Sequence, residues 1–161
     1  MSKVLPVCFA VVTVLGTGLL IACIATNYWK KYTVGSSETS RGLFKRCWTF
    51  GKTTTCNDLF QDFGDLPAKF AGVVALSILA ALFGVLAIIV GSCGMVLNKK
   101  LFAVIAVLQL LSVVFAASGL GLYAKYYIVG LWEAGWSYII GWVGTVFLGF
   151  GLVIMIIMAI R

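Results

Sequence analysis

Residues 29–56, WKKYTVGSSETSRGLFKRCWTFGKTTTC, decide the fold, because they form the long polar segment of a chain otherwise made of apolar runs. Near the end of this segment, Gly51 and Lys52 separate two runs rich in β-branched and aromatic residues, which are typical of β-strands. A glycine at the first position of a two-residue loop favours a type II′ turn. The sequence therefore predicts an antiparallel hairpin that turns at Gly51.

The hairpin brings two cysteines opposite one another. Counting outward from the turn, Cys47 faces Cys56 in a non-hydrogen-bonded pair, whose Cα atoms lie roughly 4.5 Å apart. That separation suits a disulfide, and closing so short a ring stabilises a fold by about 2.7 kcal/mol in the chain-entropy account. The alternative is a pair of free thiols in a cytosolic loop. We expect the disulfide, because the pairing follows from the turn geometry.

The rest of the chain has the composition of an integral membrane protein. Of its 161 residues, 62% are hydrophobic and 11% are charged, which is far from the balance of a soluble domain. Four apolar runs, at residues 4–25, 70–97, 101–124 and 136–160, are long enough to cross about 30 Å of hydrocarbon. Since every acidic residue lies outside these runs, the net charge of +7 belongs to the loops, and we expect no nucleic-acid partner.

We expect one tetraspan domain over residues 1–161, with a large first loop at 26–69 and a short second loop at 125–135. The alternative of a cleaved signal peptide conflicts with the length of the first run, because the apolar part of a signal peptide has about 7–15 residues. A disulfide requires an oxidising compartment, which places both loops outside the cell and both termini in the cytosol. The loops nevertheless hold more basic residues than the cytosolic segments, against the positive-inside tendency.

The first loop contains further local signals. Residues 28–34 and 43–50 are strand-like and predict a small antiparallel sheet. The composition of residues 35–40 indicates a turn or flexible tip. Residues 58–63 are acidic and aromatic and predict a short helix, and Pro67 suits the first turn of the second span.

Small residues at helical spacing predict two packing seams, since they let helix backbones approach closely in lipid. The seams are Ala80, Gly84, Ala87 and Gly91 in the second span, and Gly141, Thr145 and Gly149 in the fourth. Gln109 is strongly polar and well inside a span, and we expect it to bond a neighbouring helix rather than to form a functional site. Cys8 and Cys93 are candidates for palmitoylation, with ordinary apolar packing as the alternative.

Residues that usually carry enzyme chemistry are missing from the spans. The chain has no histidine and its spans have no acidic residue, so general acid–base catalysis and proton transport have no obvious participant. No cluster has the spacing of metal ligands, and no Cys-x-x-Cys pair offers redox chemistry. We therefore expect no enzyme activity, no cofactor and no metal, and we place function in the outer loops and in lateral packing.

The first loop resembles the W…G-L-W…C…C signature of the superfamily of claudins, peripheral myelin proteins, epithelial membrane proteins and lens fibre membrane proteins. The matching residues are Trp29, Gly42, Leu43, Phe44, Cys47 and Cys56. The resemblance covers the whole chain, with four spans, a large first loop and a short second loop. The stretch WSYIIGW at 136–142 is most similar to the lens fibre membrane protein and natural killer granule protein branches. Phe44 stands where the signature has Trp. Both side chains are aromatic and similar in volume, so we expect the packing to be kept.

The resemblance implies a claudin-like fold, which is a left-handed bundle of four transmembrane helices topped by a small extracellular antiparallel β-sheet. Trp29 and the Gly42, Leu43 and Phe44 triplet would anchor that sheet at the membrane surface. The chain has no N-x-S/T sequon and ends at Arg161. We therefore expect neither N-glycosylation nor the tail motif that links many claudins to junctional scaffolds.

The resemblance also implies three functions, of which we favour the first. The first is cell–cell contact, junction or membrane organisation at the plasma membrane by a tetraspan that associates with itself, with related tetraspans or with an adhesion protein. The second is a claudin-type paracellular barrier or an anion-favouring pore, and the third is an accessory subunit of a membrane channel. The candidate pore or contact charges, which could equally form a solvated basic face, are Lys30, Lys31, Arg41, Lys45, Arg46 and Lys52.

Overall fold

The computed structural model describes residues 4–58, 68–94, 100–128 and 133–160 of the chain. Its helices are α1 (Val4–Ala25), α2 (Ala68–Gly94), α3 (Lys100–Tyr127) and α4 (Trp136–Ile160). By length and composition, all four are able to cross a membrane. Apolar residues surround each helix on every side, which is the pattern expected of segments that face both lipid and a bundle interior.

In the described part of the chain, five strands form one antiparallel sheet in the order β4-β3-β2-β1-β5. They are β1 (Lys30–Val34), β2 (Ser37–Arg41), β3 (Lys45–Phe50), β4 (Thr53–Asp58) and β5 (Glu133–Ala134). The first four belong to the first loop, whereas β5 comes from the second loop. The predicted fold class, a four-helix membrane protein with a small antiparallel sheet, is confirmed.

The first loop contains one more strand than the predicted layout. Residues 37–40, predicted as part of a flexible tip, belong to β2, and the turn is confined to Gly35 and Ser36. Gly35 and Gly51 have φ of +58° and +59°, so both hairpins turn through a glycine in the left-handed region. The prediction was wrong because β2 is polar in sequence and owes its strand conformation to pairing with β1 and β3.

The helix ends differ slightly from the predicted spans. α2 begins at residue 68 rather than 70, and α3 continues to residue 127 rather than 124. The extension of α3 contains Lys125, Tyr126 and Tyr127, whose polar ends suit the membrane interface better than the apolar core. The short helix predicted at 58–63, apart from Asp58 at the end of β4, and Pro67 lie outside the described residues, as do residues 95–97 of the second span.

The predicted seam of α2 is buried along its whole length, from Ala80 and Gly84 to Ala87 and Gly91. A Cβ atom added to Gly84 would lie 2.7 Å from the Oγ1 atom of Thr17, so α1 and α2 approach each other where only a glycine fits. The absence of a side chain at Gly84 therefore allows α1 and α2 to pack this closely.

The seam of α4 differs from the predicted one. Gly141 and Thr145 are buried, but Gly149 is only half-buried, and nothing lies within 4 Å of the position that its Cβ would take. Eight residues carry the chain two full turns and roughly 80° further around a helix, which takes Gly149 off the packed face. Gly144 and Gly151 make the close contacts instead, with Cβ positions 2.9 Å from Gly16 O and from Thr13 Oγ1 respectively.

Polar side chains join helices inside the bundle. The Nε2 atom of Gln109 in α3 donates a hydrogen bond of 3.0 Å to the backbone oxygen of Leu148 in α4. The hydroxyl of Ser112, also in α3, donates one of 2.7 Å to the backbone oxygen of Ala80 in α2. Gln109 thus has the interhelical role expected of it.

Candidate functional site

Trp29 joins the sheet to the bundle. Its side chain is 1% exposed, its Nε1 atom donates a 2.6 Å hydrogen bond to the backbone oxygen of Cys23 in α1, and its ring meets that of Tyr123 in α3 edge-on with centroids 4.8 Å apart. Its backbone N–H also donates to the oxygen of Arg41 at 3.1 Å. Trp29 therefore holds the start of β1 against two helices, α1 and α3. We call this contact between sheet and bundle the Trp29 junction.

Gly42, Leu43 and Phe44 form the connection from β2 to β3 at the bundle. A Cβ atom on Gly42 would lie 2.6 Å from both the Cα of Asn27 and the oxygen of Thr26, so the backbones leave no room for a side chain. Leu43 is buried in the same apolar cluster as Trp29, and the half-buried Phe44 packs against that cluster. Phenylalanine in place of the signature tryptophan thus keeps an apolar contact here.

Gly135 docks the second loop onto the same junction, and sequence reasoning missed it. Its N–H donates to the backbone oxygen of Trp29 at 2.9 Å, and an added Cβ would overlap the backbone oxygen of Tyr28. The neighbouring strand β5 pairs with β1 at Lys30 and Lys31. A glycine between a charged loop and an aromatic helix start was the available signal of a close backbone approach.

Cys47 and Cys56 form the predicted disulfide. They are direct register partners in β3 and β4, and their Cα atoms lie 4.1 Å apart. The predicted pairing outward from the Gly51 turn is confirmed. The disulfide ties the last strand of the first loop to the sheet.

The two faces of the sheet carry different side chains, because successive residues of a strand point to opposite faces. One, the disulfide face, carries the Cys47–Cys56 bond. The other, the aromatic face, carries Tyr32, Trp48 and the side chains aligned with them. From the turns toward the bundle, its three rows are Val34, Ser37, Phe50 and Thr53; Tyr32, Thr39, Trp48 and Thr55; and Lys30, Arg41, Arg46 and Asn57.

The outer rows of the aromatic face expose large apolar side chains. Phe50 is 74% exposed and Val34, in the same row, is 56% exposed. Trp48 in the next row is also exposed. In the row nearest the turns, at the end of the sheet farthest from the bundle, the exposed side chains of Phe50 and Val34 thus lie on either side of Ser37. We call this row the exposed apolar row.

The six candidate pore or contact charges do not form one patch. On the disulfide face, Lys31 pairs with Glu133 at 3.5 Å and Lys45 pairs with Asp58 at 3.6 Å. Lys52 is exposed in the turn between β3 and β4. Only the other three stand together, on the aromatic face.

Lys30, Arg41 and Arg46 are consecutive register partners on β1, β2 and β3, and we call them the basic row. Lys30 is 6% exposed, and its Nζ donates a hydrogen bond of 3.5 Å to the backbone oxygen of Tyr127 at the end of α3. Burial, followed by the charges of Arg41 and Arg46, lowers the pKa of Lys30 to about 8. The three cations thus lie close enough to disfavour one another's charge.

Aromatic rings support the two arginines of the basic row. The Cζ atom of Arg41 lies 4.8 Å from the ring centroid of Phe70 in the first turn of α2, and that of Arg46 lies 4.9 Å from the Trp48 ring. Both are cation–π distances. Burial also lowers the pKa of Arg41, and the Nε atoms of both arginines are buried without a hydrogen-bond partner in the part of the chain that the structure describes.

The two palmitoylation candidates differ in what the structure describes. Cys8 is a free, exposed cysteine on α1, and its modification stays a prediction, whereas the side chain of Cys93 lies outside the described residues. Within residues 4–58, 68–94, 100–128 and 133–160, no group of three or more His, Cys, Asp or Glu is placed to hold a metal ion.

Comparison with known proteins assigns the family. Comparison with individual curated proteins gives no match. The model of the PMP-22/EMP/MP20/Claudin family matches residues 2–155, a range that includes the Trp29 junction, the disulfide hairpin and all but the last turn of α4. The superfamily predicted from the signature residues is confirmed, and the chain belongs to the PMP-22/EMP/MP20/Claudin family.

Proposed function

We propose that this tetraspan makes contacts between cells, or between proteins of one membrane, through the aromatic face of its sheet. The observation that carries the proposal is the exposed apolar row at the sheet's outer end, where Phe50 is 74% and Val34 is 56% exposed. Phe50 also lies two residues from the exposed Trp48 on the same face of β3. Exposed apolar side chains that lie together mark interaction surfaces, and aromatic residues dominate the binding energy of such surfaces. The chain belongs to the PMP-22/EMP/MP20/Claudin family, and we propose no catalytic role.

The disulfide supports a plasma-membrane orientation with the sheet outside the cell. Disulfides persist in oxidising compartments and are rare in the cytosol. A sheet that carries the Cys47–Cys56 bond is therefore proposed to be extracellular. Four spans then return both termini to the cytosol.

The proposed partner is a second copy of this chain. Every residue of β4 is exposed, and β4 pairs only with β3 among the described strands. An open strand edge is a template for another strand. A second copy presents the same edge beside the same apolar row, so a two-fold contact would be self-complementary.

The basic row favours a second candidate, a barrier or anion-favouring pore between cells. Three cations on one face would attract anions. Two of the other candidate charges, Lys31 and Lys45, are neutralised by carboxylates on the opposite face. We therefore rank the pore below the contact function.

The contact function is tested by mixing two cell populations that express copies with different fluorescent tags. Phe50→Ser removes the most exposed apolar side chain of the row, and we expect enrichment at contacts between the populations to fall on the order of tenfold, as for a binding hot spot. Thr33→Ala, at an exposed position on the disulfide face, is the matched control and should retain enrichment. Energy transfer between tags within one cell measures contacts in the same membrane. Equal association of both variants in both assays would exclude the aromatic face.

A further inference from the structure

We propose that the basic row binds the phosphate of a phospholipid headgroup, in the membrane leaflet next to the sheet. This site is separate from the exposed apolar row, because the two rows lie four residues apart along the strands, roughly 13 Å. It does not depend on whether the protein makes contacts between cells.

The described carboxylates all lie on the face opposite to Arg41 and Arg46. Asp58 and Glu133 pair with lysines of the disulfide face. Glu38 is the register partner of Thr33 and Thr49 and shares that face. In the described part of the chain, no carboxylate therefore lies beside Arg41 and Arg46 on the aromatic face.

The site also contains buried donors that need acceptors. The Nε atoms of Arg41 and Arg46 and the hydroxyl of Tyr123 are buried without a hydrogen-bond partner among the described residues. Leaving such a group unsatisfied costs about 1–3 kcal/mol. Arg41 and Arg46 are register partners on neighbouring strands, whose backbones are about 4.8 Å apart. A phosphate has several acceptor oxygens, which suit charge-assisted hydrogen bonds from such a pair.

The position of the basic row points to a lipid. Arg41 packs on Phe70 in the first turn of α2, and Lys30 bonds Tyr127 at the last turn of α3. These helix ends are where spans about 30 Å long meet the headgroup layer. Lys69 and Lys125 also lie at this level, with Nζ atoms 4.5 Å and 5.5 Å from the ring centroid of Tyr126.

The bundle offers apolar space for a lipid chain in the same half of the membrane. An open groove runs between α1 and α2 and is bordered by Ile24, Phe44 and Ile78. A phosphate held at the sheet and an acyl chain held at the helices would belong to one amphipathic molecule. This favours a phospholipid over free phosphate as the occupant.

The test is native mass spectrometry of the full chain in detergent, titrated with phosphatidylglycerol and, separately, with a galactolipid that lacks phosphate. Arg46→Gln should weaken phosphatidylglycerol binding on the order of tenfold, as for loss of a charge-assisted hydrogen bond. Lys52→Gln removes the same charge outside the row and should change binding less than twofold. The galactolipid should bind all variants equally weakly. Arg46 is only half-buried, and an unchanged melting temperature of Arg46→Gln shows that its loss is not unfolding.

Competition with millimolar inorganic phosphate identifies the source of the phosphate. If the phospholipid stays bound in the presence of phosphate, the headgroup site is supported. If phosphate displaces the phospholipid from the unchanged chain but not from Arg46→Gln, the row is instead a site for free phosphate. Equal phosphatidylglycerol binding by Arg46→Gln and Lys52→Gln would overturn the proposal. A second result would also overturn it: phosphatidylglycerol binding that appears only when Asp62 and Asp65, which lie outside the described residues, are both changed to Asn. In that case the chain's own carboxylates would be the partners of the basic row.

Discussion

The two faces of the sheet share the same strands but differ in how their side chains are satisfied. On the disulfide face a covalent bond links β3 to β4, and Lys31 and Lys45 each have a carboxylate partner. On the aromatic face, Phe50 is exposed and Arg46 has a buried nitrogen without a partner in the described chain. The difference indicates that one face stabilises the sheet, while the other is left with groups that a partner or a lipid can satisfy.

The largest expected effect compares two tryptophans of the first loop. Trp29→Ala removes a fully buried ring and its hydrogen bond to Cys23, and should lower the free energy of unfolding by about 3–5 kcal/mol. Trp48→Ala changes an exposed ring on the aromatic face and should cost less than about 1 kcal/mol. Unfolding by denaturing detergent, followed by tryptophan fluorescence, measures both. Equal destabilisation would show that the aromatic face is part of the core.

A smaller effect concerns the pH dependence of Lys30. Its pKa is lowered to about 8 in the fold, chiefly by burial, whereas a lysine in an unfolded chain titrates near 10.4. Between these values the unfolded state binds more protons, so the free energy of unfolding rises with pH from about 8 to about 10.4. Unfolding measured across this range in lipid-free detergent should show the rise, and Lys30→Gln should flatten it. A rise of the same size in Lys30→Gln would assign it to other groups.

The smallest effect is expected on the disulfide face, at the ion pair between Lys31 and Glu133. The two side chains are 44% and 73% exposed, so solvent screens their attraction. Lys31→Gln and Glu133→Gln should each change the free energy of unfolding by less than about 0.5 kcal/mol. Addition of salt should remove the remaining difference in the free energy of unfolding between each variant and the unchanged chain. A loss above about 2 kcal/mol would mean that this pair, rather than Gly135, docks the second loop.

Local signals made most of the fold predictable. The Gly51 turn sets the register of β3 and β4, and the register sets the disulfide, so the hairpin follows from ten adjacent residues. The four helices follow from uninterrupted apolar length. For the hairpin and for the helices alike, the deciding signal lies in residues that are close in sequence.

What the sequence did not reveal depends on contacts between distant segments. β5 is two residues long and is a strand only because β1 lies beside it. Gly149 has the spacing expected of a small-residue seam in α4. Which face of α4 is packed, however, is set by its contact with α1, where Gly144 meets Gly16. Likewise, six basic residues look alike in the first loop, and only the register separates the basic row from the paired lysines.

The most direct test of the central claim, that the aromatic face is the contact surface, uses single cysteines in intact membranes. Phe50→Cys places a thiol in the exposed apolar row, and Thr33→Cys places one on the disulfide face at an exposed position. Under mild oxidation, we predict disulfide-linked dimers of Phe50→Cys and none above the background of the unchanged chain for Thr33→Cys. Dimers of Thr33→Cys without dimers of Phe50→Cys would contradict the account.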